Sequence, residues 1–450
     1  MKILDLLRAP EGKTLEFTRD LSGRKGIVRT LVAFANTSGG TLVIGVEDET
    51  RAVKGVPDSL DVEERLANLI SDAIAPRLVP EIVIVAWRDL QLLLVEIHTS
   101  PARPHFVRSE GHEQGVYVRV GSSNRRAGPE LVQELRRTAL GQSFDELPLP
   151  DSGSDAIDFR AASESFAPIR PLKRTDLETL RMVTEHQGRI VPTVGGMLLF
   201  GRHREIHFPD AWIQAGRFAG RDRTRIDDSV EIRSYPSQAI EAVIAFVEKH
   251  SFRETEIGAV RRQDRWSLPP VAVREAVINA VVHADYSLRG APVRVSIFDD
   301  RLEVENPGLL PFGLTISDLG RGISRLRNRV MGRVFKELGL IEQWGSGIQR
   351  MSSACREQGL PEPQFEEVGF HFRLILSMER ERPPTLQPTD LRILHALQGG
   401  AGLSTREIAA LIDRSPRATR TRLAGLVDRG YLREVGTGPQ DPKRKYYRTD

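Results

Sequence analysis

From residue 273 to 284 the chain is mostly apolar and small, with Val273, Ala276, Val277, Ala280, Val281 and Ala284. Glu275, Asn279 and His283 interrupt it at intervals of four. Residues four apart share one face of an α-helix, so the spacing predicts a helix carrying a single polar file. A surface helix has a broad charged face instead. A carboxylate, an amide and an imidazole among apolar side chains are costly without partners. From this helix alone, a satisfied polar network in a core and a ligand site are level readings.

The same patterning divides the rest of the chain. Ile27 to Ala35 and Val62 to Ile74 have helical spacing, and TLVIGVED (41–48) reads as a strand ending in acids. EIVIVAW, LLLVEI and GVYVRVG follow as short strands, and Pro129 to Leu140 as a helix opened by proline. DELPLPDSGSDA (145–156) has the composition of a linker. After the striped helix, strands at 293–298 and 301–305 meet at Asp299-Asp300, and the second runs into Asn306-Pro307-Gly308. Gly345-Ser346-Gly347 then precedes a helix beginning near Ile348. Such a turn can offer backbone N–H groups to phosphates. ERERPPTLQP (379–388) forms a second linker. The expected division is 1–146, a linker at 147–170, 171–378, a linker at 379–388, and 389–450.

In the last block, LRILHALQ (391–398) is a short helix, and Ser404 with Glu407 forms a capping-box pattern before Ile408, Ala409, Leu411 and Ile412. Pro416 opens a third helix bearing Arg417, Arg420 and Arg422, and two strand-like stretches flank Lys443 and Arg444. Charge adds to this picture. The whole chain carries only +3, but residues 385–450 hold 12 Lys or Arg against 7 Asp or Glu. A basic tail on a near-neutral body suits a polyanion partner. This block resembles a winged helix-turn-helix. The resemblance implies that Arg417, Arg420 and Arg422 meet DNA in the major groove while Lys443 and Arg444 meet phosphates from the wing. The same fold also serves as a protein-interaction module.

At 40% apolar and 28% charged residues the composition is that of an ordinary soluble chain. Its one cysteine, Cys355, excludes an internal disulfide and suits a reducing compartment. The longest apolar runs are too short for a bilayer, and MKILDLLRAPEGK lacks the core of a signal peptide. The expectation is a cytoplasmic protein with no membrane contact.

Glu11 and Glu16 stand five apart in EGKTLEF, and Asp48 ends an apolar strand. Converging carboxylates can hold Mg²⁺ or Mn²⁺ for phosphodiester cleavage, although acids at strand ends are usually solvated. Taken together, EGKTLEF, LVAFANTSGGTLVIGVED, PRLVP, YVRVGSSNRRAGPELVQEL and SFDE resemble the Schlafen AlbA-type nucleic-acid-binding domain over residues 8–146. The resemblance implies that Arg119, Arg125 and Arg126 contact the nucleic acid backbone. It also maps the carboxylate triad of Schlafen nucleases onto Glu11, Glu16 and Asp48. The family usually has Lys after its Glu-Phe pair; this chain has Thr18, then Arg19.

REAVINAVVHADYS, DDRLEVENPG, RLRNRVM, GLIEQWGSGI and GLPEPQFE, in that order, resemble a divergent GHKL-like ATP-binding domain over about 171–378. The resemblance implies a cofactor site for ATP–Mg²⁺. In it, Asn279 holds the metal, Glu275 orients an attacking water, and Gly345 and Gly347 approach the phosphates. His283, Asp285, Asn306 and Gly308 complete the site. Asn306 stands where the family's adenine-binding Asp is expected. Arg321, Arg325, Arg327 and Arg329 fall where a lid would lie. There is no GxxxxGK[ST] motif, so a P-loop motor is not supported.

The fold class expected is α+β multidomain: an AlbA-type mixed α/β domain, a GHKL-like α/β sandwich and a winged helix-turn-helix. The leading expectation is a DNA-binding, ATP-binding regulator of transcription, with RNA open as a partner of the first domain. The alternative is a Schlafen-type metal-dependent nuclease gated by the central domain. A weak ATPase activity stays open under either. Palindromic operators would call for a homodimer.

Overall fold

The alternating N-terminal segments pair into one four-stranded sheet in the computed structural model, which describes residues 3–48, 50–251, 253–257, 262–342, 345–379, 387–398, 402–428, 430–435 and 444–448. Its elements are β1 (Leu15–Thr18), α1 (Arg24–Asn36), β2 (Gly40–Ile44), α2 (Ser59–Ala73), β3 (Glu81–Trp87), β4 (Leu90–Ile97) and α3 (Pro129–Ala139). The strand order is β1-β2-β4-β3, with β1 parallel to β2 and the other pairs antiparallel. Ile27, Leu31 and Phe34 of α1 and Leu66 and Ile70 of α2 pack over Leu42, Ile44, Leu93 and Val95. The Asn-Thr-Ser-Gly-Gly stretch has two physical reasons. Buried Asn36 donates to the His105 and Tyr117 carbonyls at 2.8 and 2.9 Å and accepts from the His105 amide at 2.7 Å. Gly39 has φ +76°, and a Cβ there would lie 2.6 Å from the Ile97 oxygen, so the turn requires glycine.

The middle of the chain adds β5 (Ile213–Phe218), β6 (Ile226–Ile232), α4 (Pro236–His250), α5 (Pro270–His283), β7 (Val293–Ile297), β8 (Arg301–Pro307), α6 (Arg329–Glu337), α7 (Gly347–Glu357), β9 (Gln364–Val368) and β10 (His371–Ser377). Its main sheet has the order β6-β5-β7-β8-β10-β9. β5 and β7 run parallel, and the other pairs are antiparallel. The striped helix is α5, and it contacts α4, α7, β7 and β8. Its apolar faces are therefore core: Ala276, Val277, Ala280 and Val281 join Val295, Leu302 and Val304.

The stretch expected to be a linker, 147–170, is packed structure. Pro148 bridges to Thr193, and Ile157, Ala162 and Phe166 are buried in the central core. Proline and glycine there shape the backbone, while Ala162 and Phe166, one helical turn apart, supply an apolar face. Residues 1–380 form one compact unit, so the AlbA-like and central regions are not separate bodies; residues 381–450 form another.

The second unit holds α8 (Pro388–Ala396), α9 (Thr405–Leu411), α10 (Pro416–Asp428), β11 (Leu432–Val435) and β12 (Lys445–Arg448). A short Leu403–Ser404 strand pairs with β12, which pairs with β11. The Ser404 capping box is complete in both directions: the Ser404 amide donates to Glu407 at 2.7 Å, and the Glu407 amide donates to Ser404 Oγ at 3.3 Å. Ile393, Ile408, Leu423, Leu426, Leu432 and Tyr446 form its core. Among the described residues no helix is long and apolar enough to cross a membrane.

Candidate nucleotide cavity and nucleic-acid surfaces

The polar file of α5 opens onto a cavity of about 140 Å³. Asn306 and Val304 of β8, with Phe372 and Leu374 of β10, form one side. Gly345, Gly347 and Arg350 at the start of α7 form another, and segment 309–326 roofs it with Leu310, Leu314, Leu319 and Ile323. Glu275 Oε1 accepts from Arg350 Nη2 at 2.8 Å, and Arg350 also reaches Glu342 and, at 3.1 Å, Ser346 Oγ. The Asn279 side chain has no hydrogen-bond partner among the described residues. Burial, helped by the charge of Arg327, pushes His283 down to about 4, so its imidazole is neutral at pH 7.

Glycine at the head of α7 leaves room for the Glu275 carboxylate, and the turn before it needs glycine for its backbone. A Cβ on Gly347 would stand 2.5 Å from Glu275 Oε2 and 3.9 Å from Asn279 Nδ2. Gly345, at φ +66°, sits against Gly322 of the roof. Six of the expected cofactor residues thus line one cavity: Glu275, Asn279, His283, Asn306, Gly345 and Gly347. Asp285 and Gly308 do not. They meet each other in the turn after α5, where Asp285 accepts from the Ser287 amide at 3.0 Å and lies 3.4 Å from Arg327.

The roof segment is anchored to the AlbA-like region. The Gly313 amide donates to the Thr37 carbonyl and Ser38 Oγ donates to the Leu314 carbonyl, both at 2.9 Å. Phe312 is buried among Val116, Val118, Leu131 and Leu135. Glu367 accepts from Lys13 Nζ at 2.6 and 2.8 Å and from the Leu310 amide at 2.9 Å. Asp145 of the SFDE stretch accepts from the Arg329 and Met331 amides, each at 2.9 Å, and so caps α6. Burial raises its carboxyl to about 6.

In the first sheet, Glu11 accepts from the Phe17 amide at 2.9 Å, and Glu16 is ion-paired to Arg119. Burial raises Glu16 above the usual carboxylate range against the pull of Arg119, and Glu11 and Asp48 add to the rise. Among the described residues, three ligand atoms within 4.8 Å of one another occur at Glu81, Glu96 and His98; Glu11, Glu16 and Asp48 do not meet that spacing. Arg119 corrects an expectation. Its side chain is fully buried, donating to the Gly12 carbonyl at 3.1 Å and Asn124 at 2.9 Å besides Glu16, so it holds the domain together instead of facing a polyanion. Arg125 and Arg126 are exposed, with Arg126 near Gln114 and Glu110.

On the last unit, Arg417 and Arg420 are exposed on α10 without side-chain partners among the described residues. Arg422 is tied to Asp390 at 2.6 Å and to Gln387, and Arg444 to Glu434 at 3.1 Å. Lys443 lies outside the described residues. Sequence reasoning missed Arg350, Asp145 and the Lys13–Glu367 pair. Only the acidic SFDE signature hinted at one of them.

Three family matches fall in the expected order. Residues 11–128 match the family described as "Schlafen, AlbA_2", and residues 290–376 match "Putative ATP-dependent DNA helicase recG C-terminal", a HATPase-type family. Residues 386–433 match "Winged helix-turn-helix DNA-binding". The second match begins just beyond α5. No curated protein matches the chain. Among solved structures, a crystal structure of a Corynebacterium diphtheriae protein is 17% identical, with a TM-score of 0.46, covering 97% of this chain and 95% of its own. The N-terminal domain of a RecG-related protein from Nitrosomonas europaea, solved by NMR, is 27% identical, with a TM-score of 0.23, over 27% of this chain and 91% of its own. The chain is an α+β multidomain protein carrying a Schlafen AlbA-type domain, a HATPase-like domain and a winged helix-turn-helix.

Proposed function

We propose, from these three domains, that the chain is a regulator of transcription that binds DNA through its winged helix and ATP–Mg²⁺ in a GHKL-like central domain. The observation that carries the nucleotide reading is the Asn279 amide, unpartnered in a roofed cavity, with the glycine-headed start of α7 beside it. The donor set fits the group. Asn279 Oδ1 would hold Mg²⁺, backbone N–H groups at Gly347 would face phosphate, and Asn306 would accept from an adenine amino group. Mg²⁺, when bound, neutralises phosphate charge. Glu275, held in place by Arg350, orients a water for any hydrolysis.

The cavity of about 140 Å³ is smaller than the roughly 300–1,000 Å³ of ligand pockets. Nucleotide entry therefore requires the 309–326 roof to move, and that roof is pinned to Thr37 and Ser38 of the AlbA-type domain. This gives the switch a physical route: ATP displaces a segment that the nucleic-acid-binding domain holds. The nuclease alternative has less support: Glu16 and Asp48 line one pocket, but Glu16 is paired with Arg119 and the three acids do not come within 4.8 Å of one another among the described residues.

The test is calorimetry of ATP with Mg²⁺, together with a gel-shift on promoter DNA with and without nucleotide. Wild type should bind at micromolar to millimolar ATP, and Asn279→Ala should weaken binding at least tenfold. Absence of binding by wild type at millimolar ATP sinks the switch, and α5 then carries a structural polar network.

A further inference from the structure

A second cavity, of about 760 Å³, lies on the other side of the roof, between α3 and the loop at Pro101 on the AlbA-type side and segment 311–329 on the central side. Five guanidinium groups line it, from Arg103, Arg137, Arg325, Arg327 and Arg329, against the three acids Glu134, Asp285 and Glu342. Those acids are already engaged: Arg327 takes Glu134 and Asp285, and Arg350 takes Glu342. Arg329 faces Glu146 at 3.6 Å. Arg103, Arg137 and Arg325 are left without a carboxylate among the described residues. Among the described residues Arg325 donates only to the Phe312 carbonyl, at 2.8 Å.

Arg103 and Arg137 go further. Among the described residues neither side chain donates a hydrogen bond, although Arg103 is only 9% exposed. Arg103 Nε and Nη1 and Arg137 Nη2 are buried N–H groups with no acceptor among the described residues. Each guanidinium is held against a ring, Arg103 over Phe312 at 5.5 Å and Arg137 over Phe144 at 5.1 Å. Burying cationic donors without acceptors or counter-ions is unfavourable. Several like charges converging on one cavity compound the cost. Burial lowers both: Arg325 adds to the effect on Arg103, with Glu134 opposing it, while for Arg137 the attraction of Asp285 and Glu134 offsets part of the burial and Arg327 adds a smaller push downward. A cluster held in that condition has the chemistry of an anion receptor.

We propose that this interdomain cavity binds a small anion carrying two or three phosphate groups, gripped by Arg103, Arg137 and Arg325. Five guanidinium groups against three carboxylates leave a surplus of two positive charges on the lining, and guanidinium forks match phosphate oxygens in pairs. The cations converge from both walls of a cleft, Arg103 and Arg137 from one side and Arg325 from the other, which suits a compact polyanion over a strand tracked along one continuous groove. The site is separate from the Asn279 cavity and does not depend on the nucleotide reading there. The two share the roof residues Pro311, Ser324, Arg325 and Leu326 as a common wall.

The experiment is calorimetry of the full chain with inorganic tripolyphosphate, without Mg²⁺, at 0.15 M salt (about physiological ionic strength). Wild type is expected to bind, and Arg103→Gln combined with Arg137→Gln to weaken binding at least tenfold. Arg325→Gln, on an exposed side chain that poses little folding risk, should weaken it severalfold. Asn279→Ala should lose ATP–Mg²⁺ and keep tripolyphosphate, which separates the two sites; ATP without Mg²⁺ in that background shows whether a nucleoside polyphosphate also enters. Thermal melts of each variant check folding. The proposal is overturned if wild type ignores millimolar tripolyphosphate, or if Arg325→Gln and the double variant bind like wild type. It is equally overturned if a single-stranded oligonucleotide, and not tripolyphosphate, is the ligand these substitutions abolish.

Discussion

Gly347 and Asp145 show how much one residue can decide here. At Gly347 the helix start lies so close to Glu275 that an added methyl would stand 2.5 Å from its carboxylate. Gly347→Ala should therefore push Glu275 off Arg350 or shift α7, costing about 1–3 kcal/mol in a urea melt and weakening ATP binding with it; an unchanged midpoint would mean the contact relaxes freely. Asp145 makes a pH statement. Its carboxyl ionises at about 6 in the folded chain against an ordinary 3.8, because burial disfavours the charge. Between those values the folded state holds a proton that the unfolded state has released, so stability is full below about 4 and falls as pH rises to 6. Asp145→Asn cannot titrate. The stability of wild type minus that of the variant should drop by up to about 3 kcal/mol from pH 4 to 6.5, measured by denaturant melts at each pH. A flat difference would show that the helix-capping bonds keep the carboxyl ionised throughout.

At the scale of elements, the roof segment is the part with two allegiances. It closes the α5 cavity, yet its hydrogen bonds run to Thr37 and Ser38, and Glu367, which accepts from its Leu310 amide, is paired with Lys13. The Lys13–Glu367 pair is nearly buried, at 13% and 5% side-chain exposure, so removing one partner leaves an uncompensated charge. Glu367→Gln should destabilise unit 1–380 by about 3–5 kcal/mol. Lys13→Met combined with Glu367→Leu should recover part of that loss, since neither charge remains. Hydrogen exchange at residues 310–315 reads the local effect: protection there should fall in Glu367→Gln before it falls in α5. Equal loss at both places would mean that the roof is not an independently opening element.

For the whole molecule, the division at residues 380/381 separates a basic reader from a larger body with internal cavities. The exposed Arg417 and Arg420 of α10 have no competing partner among the described residues, whereas Arg422 is held by Asp390. Replacing Arg417 or Arg420 by Ala should each lower the slope of log K against log salt for DNA binding by about one. Arg422→Ala should act mainly on the stability of the winged helix, because it removes the ion-pair partner of buried Asp390. Titrations of labelled DNA at several salt concentrations distinguish the two behaviours.

Local periodicity determined the elements. The file at Glu275, Asn279 and His283, the strand pair turning at Asp299-Asp300, the Ser404 capping box and the Pro416 helix start are all written within one or two turns of chain. Caps and side-chain alternation act at that range. The family signatures extended this to domain order. What only the tertiary structure decided are the pairings across long separations: Glu275 with Arg350, Asp145 with the head of α6, and Lys13 with Glu367, 354 residues apart. Arg119 belongs with them, since whether an arginine in a basic stretch faces solvent or a buried Glu16 depends on what packs over it. Residues 147–170 make the same point from the other side. Pro, Gly and Ser report backbone preference, but burial depends on whether a complementary apolar surface arrives from elsewhere, as it does for Phe166 in the central core. Charge and hydrogen-bond partners are chosen by three-dimensional proximity, and neighbouring residues in the sequence carry no record of that choice.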